Sequence, residues 1–294
     1  MLEYNSIAEI ARIADGRGIT ISKLVLEDQA IGMGVSESMI LERMTDTLRI
    51  MRHSAEQGLK PDLRSTSGLT GGSGHKMSEY ASRQTSLGGS FCSRAIAYAI
   101  AIQEYNASMG KIVAAPTAGS CGILPAGLLT MMDERGAGEK ETCMALITAG
   151  AIGLVIANEA TISGAQGGCQ AECGSAAAMT AGALVELSGG SNEMVTHACA
   201  ISLKNQLGLV CDPVAGLVEV PCVKRNAGGI MCAICAADMA LAGIKSVIPV
   251  DDVIIAMRET GEALPESLRE TGQGGLAGTP AGRAIRERIF GKTV

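Results

Sequence analysis

No tryptophan occurs in this 294-residue chain, and only two phenylalanines and four tyrosines do. A core without large rings must be filled by Leu, Ile, Val, Met and Ala, and 38 glycines let backbones approach closely. That mixture suits packed helices better than sheets, which draw on aromatic and β-branched residues. Charge is sparse as well. Charged residues make up 18%, the net charge is −6 and no long basic run occurs. Nucleic acid and anionic membrane are therefore poor partners. The longest apolar run, Met144 to Ala157, holds two glycines and is too short to span a bilayer comfortably, so it reads as a buried helix. Met-Leu-Glu-Tyr-Asn-Ser at the N-terminus lacks the basic-then-apolar layout of a signal peptide. Ten cysteines without such a signal argue against a disulfide scaffold and for a reducing cytoplasm.

What is present reads as helices separated by glycine-rich loops. Ser6-Ile-Ala-Glu9 fits a capping box, followed by apolar Ile7, Ile10, Ala11 and Ala14 and a stop at Gly16. From about Ser36, the series Ile40, Met44, Leu48, Met51 and Ala55 predicts one buried stripe ending at Gly58 and Pro61. Ser-Thr-Ser-Gly-Leu-Thr-Gly-Gly-Ser-Gly-His75-Lys76 is a loop by composition. A helix over 93–108 leads to a short extended piece, Lys111-Ile-Val-Ala-Ala, then a second glycine-bearing loop at 116–125. Pro125 is expected to open a helix running to Arg135. Further helices are expected at about 139–157, 174–188, 192–206, 227–243 and 251–261. A glycine-rich loop, Thr271-Gly-Gln-Gly-Gly-Leu-Ala-Gly-Thr-Pro280, precedes a last short helix. The expectation is a mainly α protein, with an N-terminal helical appendage at 1–63. Residues 64–294 form a single helical catalytic domain whose glycine-rich loops converge on a metal-cluster site.

Cys169, Cys211 and Cys222 stand apart from the other cysteines. Each lies in Gly- or Pro-rich text, where sharp turns bring a backbone close to a ligand. Three thiolates without an equally placed fourth suggest a site open on one side. Soft all-thiolate ligation suits zinc or an iron–sulfur cluster, and none of His53, His75 and His197 sits in a metal-binding spacing. Cys92, Cys143 and Cys199 read as small core residues. Cys232-Ala-Ile-Cys235 lies in an apolar helix without a second Cys/His pair. Cys173 is the nearest competitor for a ligand role, and Cys121 is loop-borne.

The runs Gly167-Gly-Cys-Gln-Ala-Glu172 and Leu209-Val-Cys-Asp-Pro-Val-Ala-Gly-Leu-Val-Glu-Val-Pro-Cys222 resemble the iron–sulfur L-serine dehydratases. Ser67-Gly-Leu-Thr-Gly-Gly72, Ala115-Pro-Thr-Ala-Gly-Ser120 and Ala263-Leu-Pro-Glu-Ser-Leu-Arg-Glu-Thr271 match as well. The resemblance covers about 64–285 and is closest to the separate α subunit of the two-subunit type. It implies a β-subunit partner, L-serine as substrate, and a [4Fe–4S] cluster on Cys169, Cys211 and Cys222. A homo-oligomer is compatible with it. Single-chain members carry a C-terminal cysteine that can occupy the fourth iron. Here the text ends Gly-Lys-Thr-Val294, so a tail-blocked resting state is not expected.

Elimination of water needs help for a poor leaving group and a base for a weakly acidic Cα proton. His75 has a suitable intrinsic basicity, with Lys76 beside it. Turns of free backbone N–H groups make anion cradles. The candidates are Ser67, Gly68, Thr70, Gly71 and Gly72 in one loop and Thr117, Gly119 and Ser120 in the other. Asn226 is a further candidate for substrate or cluster support. Three alternatives remain open: a pyridoxal-phosphate enzyme using Lys76, a zinc-stabilised structural subunit, and an iron–sulfur lyase acting on cysteine or another β-substituted amino acid.

Overall fold

The computed structural model describes residues 2–83 and 85–291. Thirteen α-helices follow one another among the described residues, and no strand does. They are α1 (Ile7–Gly16), α2 (Ile21–Met33), α3 (Glu37–Gly58), α4 (Ser73–Ser82), α5 (Gly89–Ala107), α6 (Ile123–Arg135) and α7 (Glu139–Glu159). Then come α8 (Gly164–Gly167), α9 (Ser175–Leu187), α10 (Asn192–Lys204), α11 (Cys222–Leu241), α12 (Val250–Ala263) and α13 (Pro280–Phe290). The mainly α expectation is met.

The helices begin where the sequence supplies caps. Ser6 accepts from the Glu9 amide, Ser36 from Met39, Ser191 from Met194 and Thr279 from Gly282, each satisfying a first-turn donor that has no partner within its helix. The centre is α9, whose residues Ser175 to Val185 are all buried and which packs on α6, α7, α10 and α11. Helix α5 forms a second hub, packed on α3, α4, α6 and α11. Buried residues of α1 to α3 belong to the same core cluster as those of α9.

Several boundaries differ from the sequence expectation, each for a local reason. Helix α2 was not anticipated. Thr20 caps it through the Lys23 amide and Gly34 ends it at φ 65°, while its buried residues Ile21, Leu24 and Val25 make no long periodic run. Lys111 to Ala115 is neither helix nor paired strand, and it joins α5 to the second glycine-bearing loop. Helix α6 starts at Ile123, so Pro125 is its third residue, in the turn where a missing N–H costs nothing. Helix α4 starts at Ser73, after left-handed Gly72, so His75 and Lys76 lie on a helix and not in a loop. Helix α11 starts at Cys222, five residues before the expected 227, so this cysteine opens a helix. Helix α7, at 21 residues, is long and apolar enough to cross a bilayer, but 67% of its apolar window is buried inside the bundle. It is a core helix. Lys292 to Val294, where the tail expectation falls, lie outside the described residues.

Candidate active site

Cys169 begins a π-helical turn, Gln170–Gly174, that leads into α9. Gly168 makes the entry possible. Its φ of 75° suits glycine, and a Cβ there would sit 2.6 Å from Leu264 and 2.9 Å from the Leu209 carbonyl. Gln170 anchors the turn from three sides. Its amide donates to Leu209 O at 2.9 Å, its Oε1 accepts from Gly208 N at 2.9 Å, and its Nε2 donates to Met257 O at 2.9 Å. Cys169 is thereby fixed against the segment that carries Cys211.

Cys211 is held by backbone on both sides. Its amide donates to Leu268 O at 2.9 Å and its carbonyl accepts from Glu270 N at 2.7 Å, an isolated parallel bridge to Arg269. A tight turn at Pro213 to Gly216 then leads to Cys222 at the start of α11. One helical turn on, Arg225 reaches back. Its Nη1 donates to Val210 O at 2.8 Å, and its Nη2 pairs with Asp212 Oδ1 at 2.8 Å.

Glu172 lies among the cysteines. It accepts from Thr117 Oγ1 at 2.7 Å, and its Oε2 is 3.8 Å from Cys211 Sγ. A Cβ on Gly119 would come within 2.9 Å of this carboxylate, and one on Gly164 within 2.6 Å of it and 3.1 Å of Cys211 Sγ. Burial raises the Glu172 carboxyl above its ordinary range. Burial also pushes up the Cys211 thiol, aided by the charges of Glu172, Cys169 and Cys222. It takes Cys222 up to about 12, with Cys169 adding to the rise. Cys169 goes the other way. Its hydrogen bond with Cys173, sulfurs 3.4 Å apart, and the nearby Arg225 guanidinium hold it below the usual thiol range. Cys173, fully buried against it, is raised. The three predicted cysteines thus act on one another's charge around Glu172, with Arg225 as the adjoining cation.

The two predicted cradles carry protein carboxylates. Ser67 Oγ and Thr70 Oγ1 donate to Glu219 Oε2 at 3.0 and 3.1 Å. The amides of Gly71, Ser73 and Gly74 donate to Glu104, which is fully buried on α5. Gly68 is exposed at the loop tip, and its amide closes the turn onto Ser65 O. In the second loop, Thr117 holds Glu172, Gly119 lies under that carboxylate, and Ser120 packs back on Thr117. Asn226 staples this loop to α11, accepting from Gly122 N and donating to Gly119 O and Cys222 O. His75 stands apart. Its Nδ1 contacts Leu59 O at 3.2 Å and its Nε2 lies 3.7 Å from Glu79, while Lys76 is exposed.

Among the described residues, no group of three or more His, Cys, Asp or Glu side chains encloses the position of a single metal ion. A [4Fe–4S] cluster spreads its thiolates more widely than one ion does. The donor set fits such a cluster: three buried thiols on separate segments beside the half-buried Arg225 guanidinium.

The family model described as "Serine dehydratase alpha chain" matches residues 16–277. The chain belongs to the serine dehydratase alpha chain family. It is 47% identical over 288 residues to the "Probable L-serine dehydratase, alpha chain" of Bacillus subtilis, covering 98% of this chain and 96% of that protein. It is 45% identical over 282 residues to the "L-serine dehydratase, alpha chain" of Peptoniphilus asaccharolyticus, covering 96% of this chain and 97% of that one. The L-serine dehydratase of Streptomyces coelicolor is 39% identical over 277 residues, which are 92% of this chain but 59% of that longer protein.

Sequence reasoning missed the charged residues at the cysteines, Glu172 and Arg225, and those that hold the 65–74 loop, Glu219 and Glu104. Glu172 and Glu219 lie inside the quoted motifs, so a search for buried carboxylates within glycine-rich runs would have found them. Arg225 had a signal in its spacing, one helical turn after Cys222. Glu104 had none, since Ala-Ile-Gln-Glu-Tyr-Asn reads as an ordinary helix face. All ten cysteines are free; Cys143 and Cys199 are buried core residues, whereas Cys235 is exposed.

Proposed function

We propose that this chain is the α subunit of an L-serine dehydratase, converting L-serine to pyruvate and ammonia with a [4Fe–4S] cluster held by Cys169, Cys211 and Cys222. The observation that carries the reading is the gathering of these three thiols, from three chain segments, around Glu172 and Arg225. Its relatives' names support the substrate and, through the term alpha chain, a separate β subunit. Bound there, the cluster would supply Lewis acidity for departure of the serine β-hydroxyl. The chain's own residues do the rest. Arg225 offsets thiolate charge, and Gly164 and Gly119 leave the space beside Glu172 free of side chains. Asn226 fixes the loop from Thr117 to Gly122 against the start of α11. Loss of the β-hydroxyl as water and of the Cα proton gives aminoacrylate, whose tautomer hydrolyses to pyruvate and ammonia.

Thr117, Gly119 and Ser120 are the substrate-side loop in this reading, because they border Glu172 beside Cys211. Ser67, Thr70 and Gly71 serve it indirectly, through their bonds to Glu219 and Glu104, and Gly72 turns the chain into α4. His75 contacts Leu59 and Glu79 instead, and no proton transfer is assigned to it. Ten free thiols suit a reducing cytoplasm.

Anaerobic reconstitution with iron and sulfide, followed by absorption and EPR spectroscopy and a pyruvate assay with and without the β partner, tests the proposal. About four irons per chain are expected, lost on substitution of Cys169, Cys211 or Cys222 by Ser and kept on Cys92→Ser. Metal-free, colourless protein that still deaminates serine would refute it.

A further inference from the structure

We infer that Arg225 is a positioning residue that locks Cys211 to the Cys222 end of α11 before any metal arrives. The inference rests on the proposed cluster ligation for its purpose, but not for its geometry. Arg225 lies one turn after Cys222; its Nη1 donates to Val210 O at 2.8 Å, and its Nη2 lies 2.8 Å from Asp212 Oδ1 as an ion pair. Those acceptors flank Cys211 on either side, so one rigid fork grips the segment before and after the thiol. Guanidinium suits this role because its donors are fixed in a plane, whereas an ammonium offers a point charge on a flexible stem.

Asp212 is part of the same lock. Its side chain is 3% exposed, and that of Arg225 is 17% exposed. Its Oδ2 accepts from Leu276 N at 2.7 Å, and a Cβ on Gly275 would sit 2.3 Å from it. The glycine-rich C-terminal loop therefore closes directly over Asp212. With the backbone pair from Cys211 to Leu268 and Glu270, the segment 266–276 covers one side of Cys211 and Arg225 holds the other. A buried carboxylate deprived of its half-buried cation is costly, so removing either should open the segment. The face of α11 bearing Arg225 also lines an open cleft of about 620 Å³ with Lys224, Gln206 and Gly208, so an opened Cys211 segment has room to move.

The test uses the full chain, metal-free and under reducing conditions. Alkylation of Cys211 by iodoacetamide is followed by peptide mass spectrometry, with exposed Cys235 and buried Cys199 as internal references. Arg225→Gln is expected to speed Cys211 alkylation at least about tenfold relative to wild type, through local opening. Cys199 should stay protected and Cys235 unchanged. Arg225→Lys should fall between the two, since it keeps charge but cannot bridge both acceptors. Asp212→Asn keeps the shape and serves as the second variant should Arg225→Gln unfold; it should speed Cys211 alone. Iron uptake on reconstitution should fall in the same order. Unchanged Cys211 alkylation in both Arg225→Gln and Asp212→Asn, with Cys199 protected, would overturn the lock. If wild type takes up no iron while Cys211 still loosens in the variants, the lock stands and the cluster reading fails.

Discussion

A carboxylate taken out of water must be met by donors or give up its charge. Glu104 is met by three backbone amides, those of Gly71, Ser73 and Gly74, and by no lysine or arginine among the described residues. Replacing it by Gln weakens those bonds and turns an amide donor toward them. Glu104→Gln is therefore expected to cost about 2–4 kcal/mol in urea unfolding and to speed tryptic cleavage after exposed Arg64, at the base of the loop. Wild-type stability together with a wild-type cleavage rate would show that the loop stands without it. Glu186, on α9, shows what burial does to a carboxyl. Thr148 Oγ1 and Ser22 N donate to it, yet burial dominates and raises its carboxyl above the ordinary 4.5. The folded state then keeps its proton after the unfolded chain has lost it. Stability from this group is full below pH 4.5 and is lost as pH rises through the folded value. Unfolding free energy measured between pH 4.5 and 8 should fall more steeply in wild type than in Glu186→Gln. Parallel curves would remove Glu186 from the account. None of this was legible in the sequence. A glutamate in helical text reads as solvated, and only the fold brings Thr148 and Ser22 to Glu186, or a glycine turn to Glu104.

Helices were far easier to read than the chemistry they carry. Capping residues and spaced apolar positions placed α1 and α3 almost to the residue, because both signals are local. Helix α2 escaped because its buried positions cluster at its start rather than recurring along it. Cys222 was placed in a loop because Pro221 precedes it, although a proline just before the first turn is compatible with a helix start. Glycine is where elements meet most closely, and its position decides its sign. Gly58 ends α3 directly on α5, where a Cβ would lie 2.0 Å from the Ala101 carbonyl; Gly74 of α4 presses on Ala101 from another side, at 2.7 Å from its Cα. Backbone cannot step aside as a flexible side chain can. Gly58→Ala is expected to destabilise by about 3 kcal/mol. Gly150, exposed midway along α7, meets nothing within 4 Å. Gly150→Ala should stabilise by about 0.5–1 kcal/mol through helix propensity alone. Urea midpoints of the two variants should move in opposite directions. Equal shifts of the same sign would contradict this account of helix contact.

At the scale of the molecule, the three candidate ligands come from segments that the helical core does not itself tie together. Cys169 opens the π turn before α9, Cys211 rests on the 266–276 segment, and Cys222 begins α11. The family motifs made these residues legible in sequence, whereas their neighbourhood follows from the bonds of Gln170 to Leu209 and Gly208 and the contacts of Arg225 with Val210 and Asp212. A group that binds only the folded chain stabilises it by mass action. Here that stabilisation should be local, because binding joins irregular segments while α1 to α3 meet the core elsewhere, against α5, α6, α7, α10 and α12. Hydrogen exchange compared between metal-free and iron-loaded protein should therefore slow at 164–174, 205–222 and 266–276 and stay the same in α1 to α3. In Cys211→Ser the slowing should vanish from 205–222 and 266–276 together, since the Cys211 backbone is bonded to Leu268 and Glu270. Iron that binds with no exchange difference in these segments, or with a uniform slowing across α1 to α3 as well, would place the metal elsewhere on the chain.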